Sequence, residues 1–168
     1  APKSTSPTGT GGVEIVPGIL EVNEFVATNS VNTNEFGDAS DWFEIYNTAD
    51  QELVLNAGEW SVTDGGDDHA GKFVLPELSI APHGFIVIWC DGLNMTANDV
   101  HTNFSLSSAG EEIAIHHLEN GSYVQIDDHA YGDQTTGEHA NGESTGRSPD
   151  GGDQWVVFPT PTPGAPNS

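Results

Sequence analysis

The sequence predicts an all-β fold, either a β-sandwich or a barrel. Short runs of alternating apolar and polar residues recur along the chain, and residues typical of turns separate them. The 168 residues include 20 Gly and 10 Pro, and no stretch has the length and apolar spacing of an ordinary helix. The composition also excludes a coiled coil or helical bundle, which would be rich in Ala, Glu, Lys and Leu at helical spacing.

The predicted strands begin with a run that contains an irregularity. Leu20 and Val22 share one face, but Phe25 breaks their parity, so we expect a β-bulge near Asn23-Glu24. The runs expected to form strands are 19–27, 41–47, 53–55, 59–62, 72–75, 85–90, 112–116, 123–127 and 155–158.

Alternation within these runs also predicts which side chains face the core. The expected inward-facing residues include Phe43, Ile45, Ile113, Ile115, Val124 and Ile126. The run 85–90 is apolar on both faces, which predicts a central strand. Asn120-Gly121 predicts a tight hairpin turn between two of the later strands.

The charge of the chain is strongly one-sided. Acidic residues number 26 and basic residues 3, so the formal net charge is −23. Nucleic acid is excluded as an expected partner, because phosphate contacts need Lys and Arg, and anionic membranes are disfavoured for the same reason. Such an excess suggests surroundings with high salt or abundant divalent cations, which screen the repulsion. An ordinary acidic secreted protein is an equal alternative.

The chain divides into one predicted domain between two extended segments. Residues 1–18 form a Ser/Thr/Pro/Gly-rich arm with a short β-prone segment, 19–159 hold the strands, and 160–168 are Pro-rich.

The chain starts at Ala1 without an apolar signal segment, which we interpret as the mature form of a secreted, extracellular or cell-surface protein. Cys90 is the only cysteine, and its apolar neighbours predict a buried thiol.

Five motifs occur in order along most of the chain. They lie at 22–25, 41–47, 101–112, 146–151 and 162–167. In this order they resemble the lamin-tail domain, specifically its secreted prokaryotic branch, over about residues 19–167. The resemblance implies an immunoglobulin-like β-sandwich with extended N- and C-terminal segments. It supplies no catalytic residues, so we do not expect an enzyme.

The resemblance implies a module that works by association. Prokaryotic members mostly accompany hydrolase or adhesin-like domains, and this sequence contains no such companion, so we expect the module itself to be the working protein. We expect an extracellular structural or interaction module, a self-associating subunit of a surface filament or sheath. The alternative is a calcium-dependent adhesive or glycan-binding module of the cell surface.

Acidic loops are the candidate metal sites. Asp64, Asp67 and Asp68 gather three carboxylates within five residues, and calcium prefers six to eight oxygen ligands on flexible loops. No cofactor is required by the sequence, and calcium is the one that it suggests. There are two further acidic loops. One contains Glu35, Asp38 and Asp41, and the other contains Asp91, Asp99 and His101. The alternative is that these are solvated loops of a protein that is acidic throughout.

Arg147 is expected to be a structural residue. It is the only arginine, and it lies in one of the five motifs. Glu24 follows the inward parity of Leu20 and Val22, so it is expected to be partly buried and to need a cation. Arginine can bind a buried carboxylate through two hydrogen bonds, so we expect a bidentate Arg147–Glu24 pair rather than a pair with lysine. Glu44 is the second candidate partner of Arg147.

The segment Val13, Glu14, Ile15 and Val16 is the candidate for assembly. It is β-prone and is separated from the sandwich by Pro17-Gly18. We expect it to add as a strand to an open sheet edge of another copy. A head-to-tail contact of this kind does not close on itself and builds a filament.

Two sequons are candidate glycosylation sites. Asn94 and Asn120 each begin an Asn-x-Ser/Thr motif in an expected loop. A third sequon begins at Asn103, but it lies within one of the lamin-tail motifs and is expected to be structural.

Overall fold

The computed structural model describes residues 12–134, 139 and 142–167. Apart from 3-10 structure at Gly66–His69 and at His139, the regular structure of these residues is all β. Two larger sheets enclose one apolar core, which confirms the predicted all-β sandwich. Within the described ranges, no helix is long and apolar enough to span a membrane.

Twelve strands make up the described part of the fold. In chain order they are β1 Leu20–Val26, β2 Asp41–Asn47, β3 Leu53–Leu55, β4 Trp60–Thr63, β5 Phe73–Val74, β6 Leu78–Ile80, β7 Phe85–Cys90, β8 Val100–His101, β9 Glu111–Glu119, β10 Ser122–Tyr131, β11 Ser144–Arg147 and β12 Trp155–Phe158. The larger sheets have the orders β12-β11-β1-β2-β7-β8 and β10-β9-β4-β5, and β3 pairs with β6.

The pairing of β1 with β2 confirms the predicted bulge. Val22 lies opposite Ile45 and Glu24 lies opposite Glu44, so Asn23 is the extra residue on β1. The extra residue returns Phe25 to the core face. Glu24 is thereby turned to the outer face of the six-stranded sheet, away from the core.

The four-stranded sheet confirms most of the predicted pattern. Ile113 and Ile115 are fully buried, and Asn120-Gly121 forms the two-residue turn between β9 and β10 with positive φ at both residues. The prediction for Val124 was wrong, because its side chain is 42% exposed. A register shift between Gln125 and Asp127 interrupts the alternation of this edge strand, and Ile126 is the buried residue there.

Strand β7 is less central than its apolar sequence predicts. It pairs with β2 along its whole length, from Asp41–Cys90 to Tyr46–Phe85. On its other side β8 pairs with it only at Ile88 and Trp89. The first part of β7 therefore lies at an edge of the six-stranded sheet.

Candidate functional site

A cavity of about 460 Å³ lies beside the edge of β7 that β8 leaves open. Its lining includes four residues of β7, together with the first residue of β8 and the two residues before it. The remaining lining residues are 32–33, Leu78 and Pro163. Apolar and polar groups share this lining, and Asp99 is its charged residue. Such a mixture is typical of binding sites, in which apolar walls supply contact area and a few polar groups fix orientation.

The backbone of β7 offers hydrogen-bonding groups to this cavity. The carbonyl of Trp89 accepts a hydrogen bond from the N–H of Thr102, at 2.8 Å on the β8 side. Since backbone groups of a strand point to alternate sides at successive residues, Val87 and Phe85 direct theirs to the same side. On that side the pairing of Ile88 with Val100 uses the carbonyl of Val87. Among the described residues, no hydrogen bond is found to the N–H of Val87 or to the N–H and C=O of Phe85. We call this open edge and the adjoining cavity the β7 notch.

A buried histidine lies between two carboxylates close to the notch. His101 Nδ1 is 2.6 Å from Asp91 Oδ2, and His101 Nε2 is 2.8 Å from Glu35 Oε1. The His101 side chain is only 1% exposed. Burial alone would lower the pKa of His101, but the hydrogen bonds to Asp91 and Glu35 outweigh it and raise the pKa. A carboxylate oxygen at each ring nitrogen favours the imidazolium form, which can donate from both nitrogens.

Asp99 connects this histidine cluster to the notch. It shares a hydrogen bond with Glu35, and burial followed by the negative charge of Glu35 raises the pKa of Asp99. Burial also acts against the charged form of Glu35, but the hydrogen bonds to His101 and Asp99 and the charge of His101 together outweigh it, and the pKa of Glu35 is lowered. Three carboxylates thus surround one imidazolium, which leaves the rim of the notch negative when Asp99 is ionised.

Sequence reasoning identified these residues only in part. It grouped Asp91, Asp99 and His101 in one acidic loop and Glu35 in another, and the structure brings members of both loops together. It did not identify the β7 notch.

The carboxylates of the predicted calcium loop have separate partners. Asp64 Oδ1 is 2.6 Å from Lys72 Nζ, and Asp67 Oδ1 is 3.0 Å from His116 Nε2, while Asp68 is exposed. Among the described residues, no group of three or more His, Cys, Asp or Glu side chains that could hold a metal ion is found. Calcium binding at Asp64, Asp67 and Asp68 stays a prediction.

Arg147 is buried as expected, but its predicted partner was wrong. Its Nη2 is 3.1 Å from Asp127 Oδ2, its Nε donates to the carbonyl of Val22 at 2.8 Å, and its Nη1 donates to the carbonyl of Gly152 at 2.8 Å. The guanidinium also lies 4.9 Å from the ring centre of Trp155. Asp127 belongs to the four-stranded sheet, so the ion pair joins the two sheets.

Glu24 cannot reach Arg147, because the bulge at Asn23 turns it to the outer face. Neutral donors bind it instead: the Ser144 hydroxyl at 2.6 Å, and the backbone N–H and hydroxyl of Thr162 at 2.9 and 3.0 Å. Burial raises the pKa of Glu24. The physical reason for the wrong assignment is that one inserted residue reverses the facing of every side chain after it.

Glu44, the second candidate partner, is held in the same way. Its carboxylate accepts hydrogen bonds from the Asn23 amide at 3.0 Å and from the N–H of Gly164 at 2.8 Å. Burial raises the pKa of Glu44 to about 8, and the nearby charge of Glu24 acts in the same direction. The C-terminal segment therefore covers both carboxyl groups on the outer face of the sheet.

The candidate assembly segment forms no strand in this chain. Val13 and Ile15 are half-buried and pack against the core of their own sandwich, whereas Val16 is 41% exposed. The N–H of Gly18 donates to the carbonyl of Ile126 at 2.8 Å, which fixes the point where the segment joins the domain.

Both candidate sequon asparagines are exposed in loops. Asn94 and Asn120 each have a positive φ, and Asn120 occupies the β9–β10 turn. Glycosylation at these residues stays a prediction.

No protein-family model and no curated protein matches this chain.

Proposed function

We propose that the chain is an extracellular structural module, of the immunoglobulin-like lamin-tail type, that associates with copies of itself through its N-terminal segment. The observation that carries the proposal is the position of Val13 and Ile15. Both side chains pack against the sandwich core, yet their segment forms no strand within the described chain. The two side chains therefore contact the core, although the segment is not part of a sheet.

Exchange of this segment between copies supports assembly at low energetic cost. If Val13 and Ile15 of one copy occupy the same places in the core of the next copy, the same packing forms between chains as within one chain. Pro17-Gly18 supplies a hinge, since Gly18 has φ of +81°. A head-to-tail exchange leaves a free segment at one end and a free core site at the other, so it propagates into a filament.

The net charge of −23 sets the conditions for this association. Copies repel one another at low ionic strength, and salt at about 1 M shortens the screening length to roughly 3 Å. Assembly is therefore expected to need high salt or divalent cations.

The test compares the full chain with two variants in low and high salt. Val13→Asp combined with Ile15→Asp disrupts the packing of the segment on the core, and Val16→Asp changes its exposed residue as the matched control. We expect light scattering and electron microscopy to show filaments of the full chain and of Val16→Asp in high salt, and monomers of the double variant. Monomers of the full chain under all conditions, or filaments of the folded double variant, would contradict the proposal.

A calcium-dependent adhesive module is the second candidate. The observation that favours it lies beside the predicted calcium loop, where Glu112 shares a hydrogen bond with Asp128, which raises the pKa of Glu112. The charges of Asp67 and Asp68 act in the same direction. A calcium-induced rise in Tm that equal magnesium does not reproduce, together with binding to a glycan array, would favour this candidate.

A further inference from the structure

We propose that the β7 notch binds an extended, lysine-containing peptide of a partner protein by strand addition. The first argument is the geometry of the backbone. Phe85 directs its N–H and C=O, and Val87 its N–H, away from β2 on the side where β8 has not yet begun. A strand placed there would continue the line of β8 along β7, and its backbone would pair with these groups.

The cavity supplies places for the side chains of such a peptide. Phe85, Val87 and Trp89 alternate along β7 and line the cavity together with Val100. Side chains on one face of the added strand would enter this apolar part. The volume of about 460 Å³ suits a few side chains of an extended segment, which rises about 3.3 Å per residue. Strand-addition sites combine these two features: backbone pairing for affinity and pockets for specificity.

Charge decides the class of peptide. Asp99 lines the notch, Glu35 is hydrogen-bonded to it, and no Lys or Arg is among the lining residues of the described chain. The whole protein carries a net charge of −23, which steers cations toward it and repels anions. An ammonium group that reaches Asp99 would also relieve the repulsion between the two carboxyl groups.

The same argument disfavours the chain's own N-terminal segment as the occupant. That segment contains Glu14, and its apolar residues Val13 and Ile15 already pack in the sandwich core. This inference is therefore independent of the proposed self-association, which uses the core site of those two residues and not the β7 notch.

The experiment uses the full chain labelled with ¹⁵N and a seven-residue peptide of alternating Val and Thr with one central Lys. Two matched peptides replace the Lys by norleucine or by Glu, and a fourth has the sequence of residues 12–18. We expect the Lys peptide to bind best, with amide shifts concentrated at Phe85, Val87, Asp99 and Val100. We also expect its affinity to fall with rising salt.

Three variants test the charge of the notch and its backbone pairing separately. Asp99→Asn is expected to weaken the Lys peptide by about two- to fivefold and to leave the norleucine peptide unchanged. Asp68→Asn, which removes an exposed charge elsewhere, is the control for net charge and should change neither. Val87→Pro removes one N–H directed at the notch without removing a hydrogen bond to β2, and should abolish binding of both peptides.

Several results would overturn the proposal. One is that the Lys peptide does not bind the folded protein at millimolar concentration, and another is that its amide shifts lie away from the notch. The others are that the Glu peptide binds equally well, or that the 12–18 peptide binds more strongly at the notch. The last result would assign the notch to contacts between copies. If Val87→Pro does not fold, the shift map and Asp99→Asn still decide the outcome.

Discussion

Glu24 and Glu44 lie directly opposite each other on β1 and β2, and neither side chain is exposed to solvent. Two facing carboxyl groups repel when both are ionised, and like charges at opposed positions destabilise a sheet. Burial raises the pKa of both groups, and the charge of Glu24 adds to the rise at Glu44. At neutral pH these raised pKa values favour the protonated form of Glu44, whose pKa is about 8.

The first prediction concerns the dependence of stability on pH. Glu44 has a pKa of about 8 in the folded protein against an ordinary value of 4.5, so the native state binds the proton more tightly than the unfolded state. The free energy of unfolding should therefore fall as pH rises between these values, by up to about 1.4 kcal/mol per pH unit from this group. Urea unfolding from pH 5 to pH 9 measures the slope.

Glu44→Gln should flatten that slope, because the amide does not titrate. Glu52→Gln is the matched control, since Glu52 is exposed and should leave the slope unchanged. A Glu44→Gln slope equal to that of the wild type would contradict the assignment of the buried proton.

The second prediction concerns Arg147. Arg147→Ala removes the ion pair with Asp127 and leaves a buried carboxylate and two backbone carbonyls without their donor. We expect a loss of about 3–5 kcal/mol in the free energy of unfolding. Arg147→Lys should recover only part of it, because an ammonium cannot reach three acceptors in one plane.

Lys72→Ala is the comparison for that measurement. Lys72 forms an ion pair with Asp64, but its side chain is 36% exposed, so its loss should cost less than about 1 kcal/mol. Equal losses for the two variants would mean that the Arg147 pair does not join the sheets in the way described.

The third prediction contrasts two histidines. The pKa of His101 is raised by its hydrogen bonds to Asp91 and Glu35, although burial opposes them, whereas burial and the charge of Arg147 lower the pKa of His129 to about 4. At pH 6.5 His101 should be doubly protonated and His129 neutral. Long-range ¹H–¹⁵N spectra of the two rings distinguish these states.

The sign of the effect on stability is also opposite for the two rings. Stabilisation by His101 is complete below the pKa of an unfolded histidine and is lost as pH rises through the raised folded value. For His129 the folded state disfavours the proton, so acidification below about pH 6.5 destabilises the protein. Identical titration of the two rings would rule out the carboxylate–imidazolium cluster.

The fourth prediction concerns salt and calcium. The excess of negative charge repels itself more in the folded state than in the expanded chain, so Tm should rise from low to molar NaCl. Calcium should raise Tm beyond magnesium at equal ionic strength if the Asp64–Asp68 loop binds it, and Asp68→Asn should reduce that difference. A Tm that is insensitive to NaCl would show that self-repulsion does not limit stability.

Local patterns predicted the strands well because alternation and turn residues act over a few neighbours. The bulge at Asn23 and the Asn120-Gly121 turn are examples, and both are confirmed. The partner of Arg147 was not predictable in this way. Asp127 lies on the other sheet, and the alternation of a strand carries no information about which residues meet between sheets.

The β7 notch escaped prediction for a related reason. Apolar residues on both faces of β7 indicate that both faces are covered, but they do not report how far the neighbouring strand extends along its edge. The length of β8 decides that, and only Val100 and His101 belong to it. Val124 was wrongly predicted because it lies near the start of an edge strand, where alternation does not report that the neighbouring sheet fails to cover the side chain.

The order of strands also has a consequence for the synthesis of the chain. β1 is placed between β2, which follows it closely, and β11, which is made more than a hundred residues later. Thr162 and Gly164, which cover Glu24 and Glu44, emerge from the ribosome later still. The six-stranded sheet thus cannot close before residues 144–164 have left the ribosome, and its nascent part must remain protected from aggregation until then.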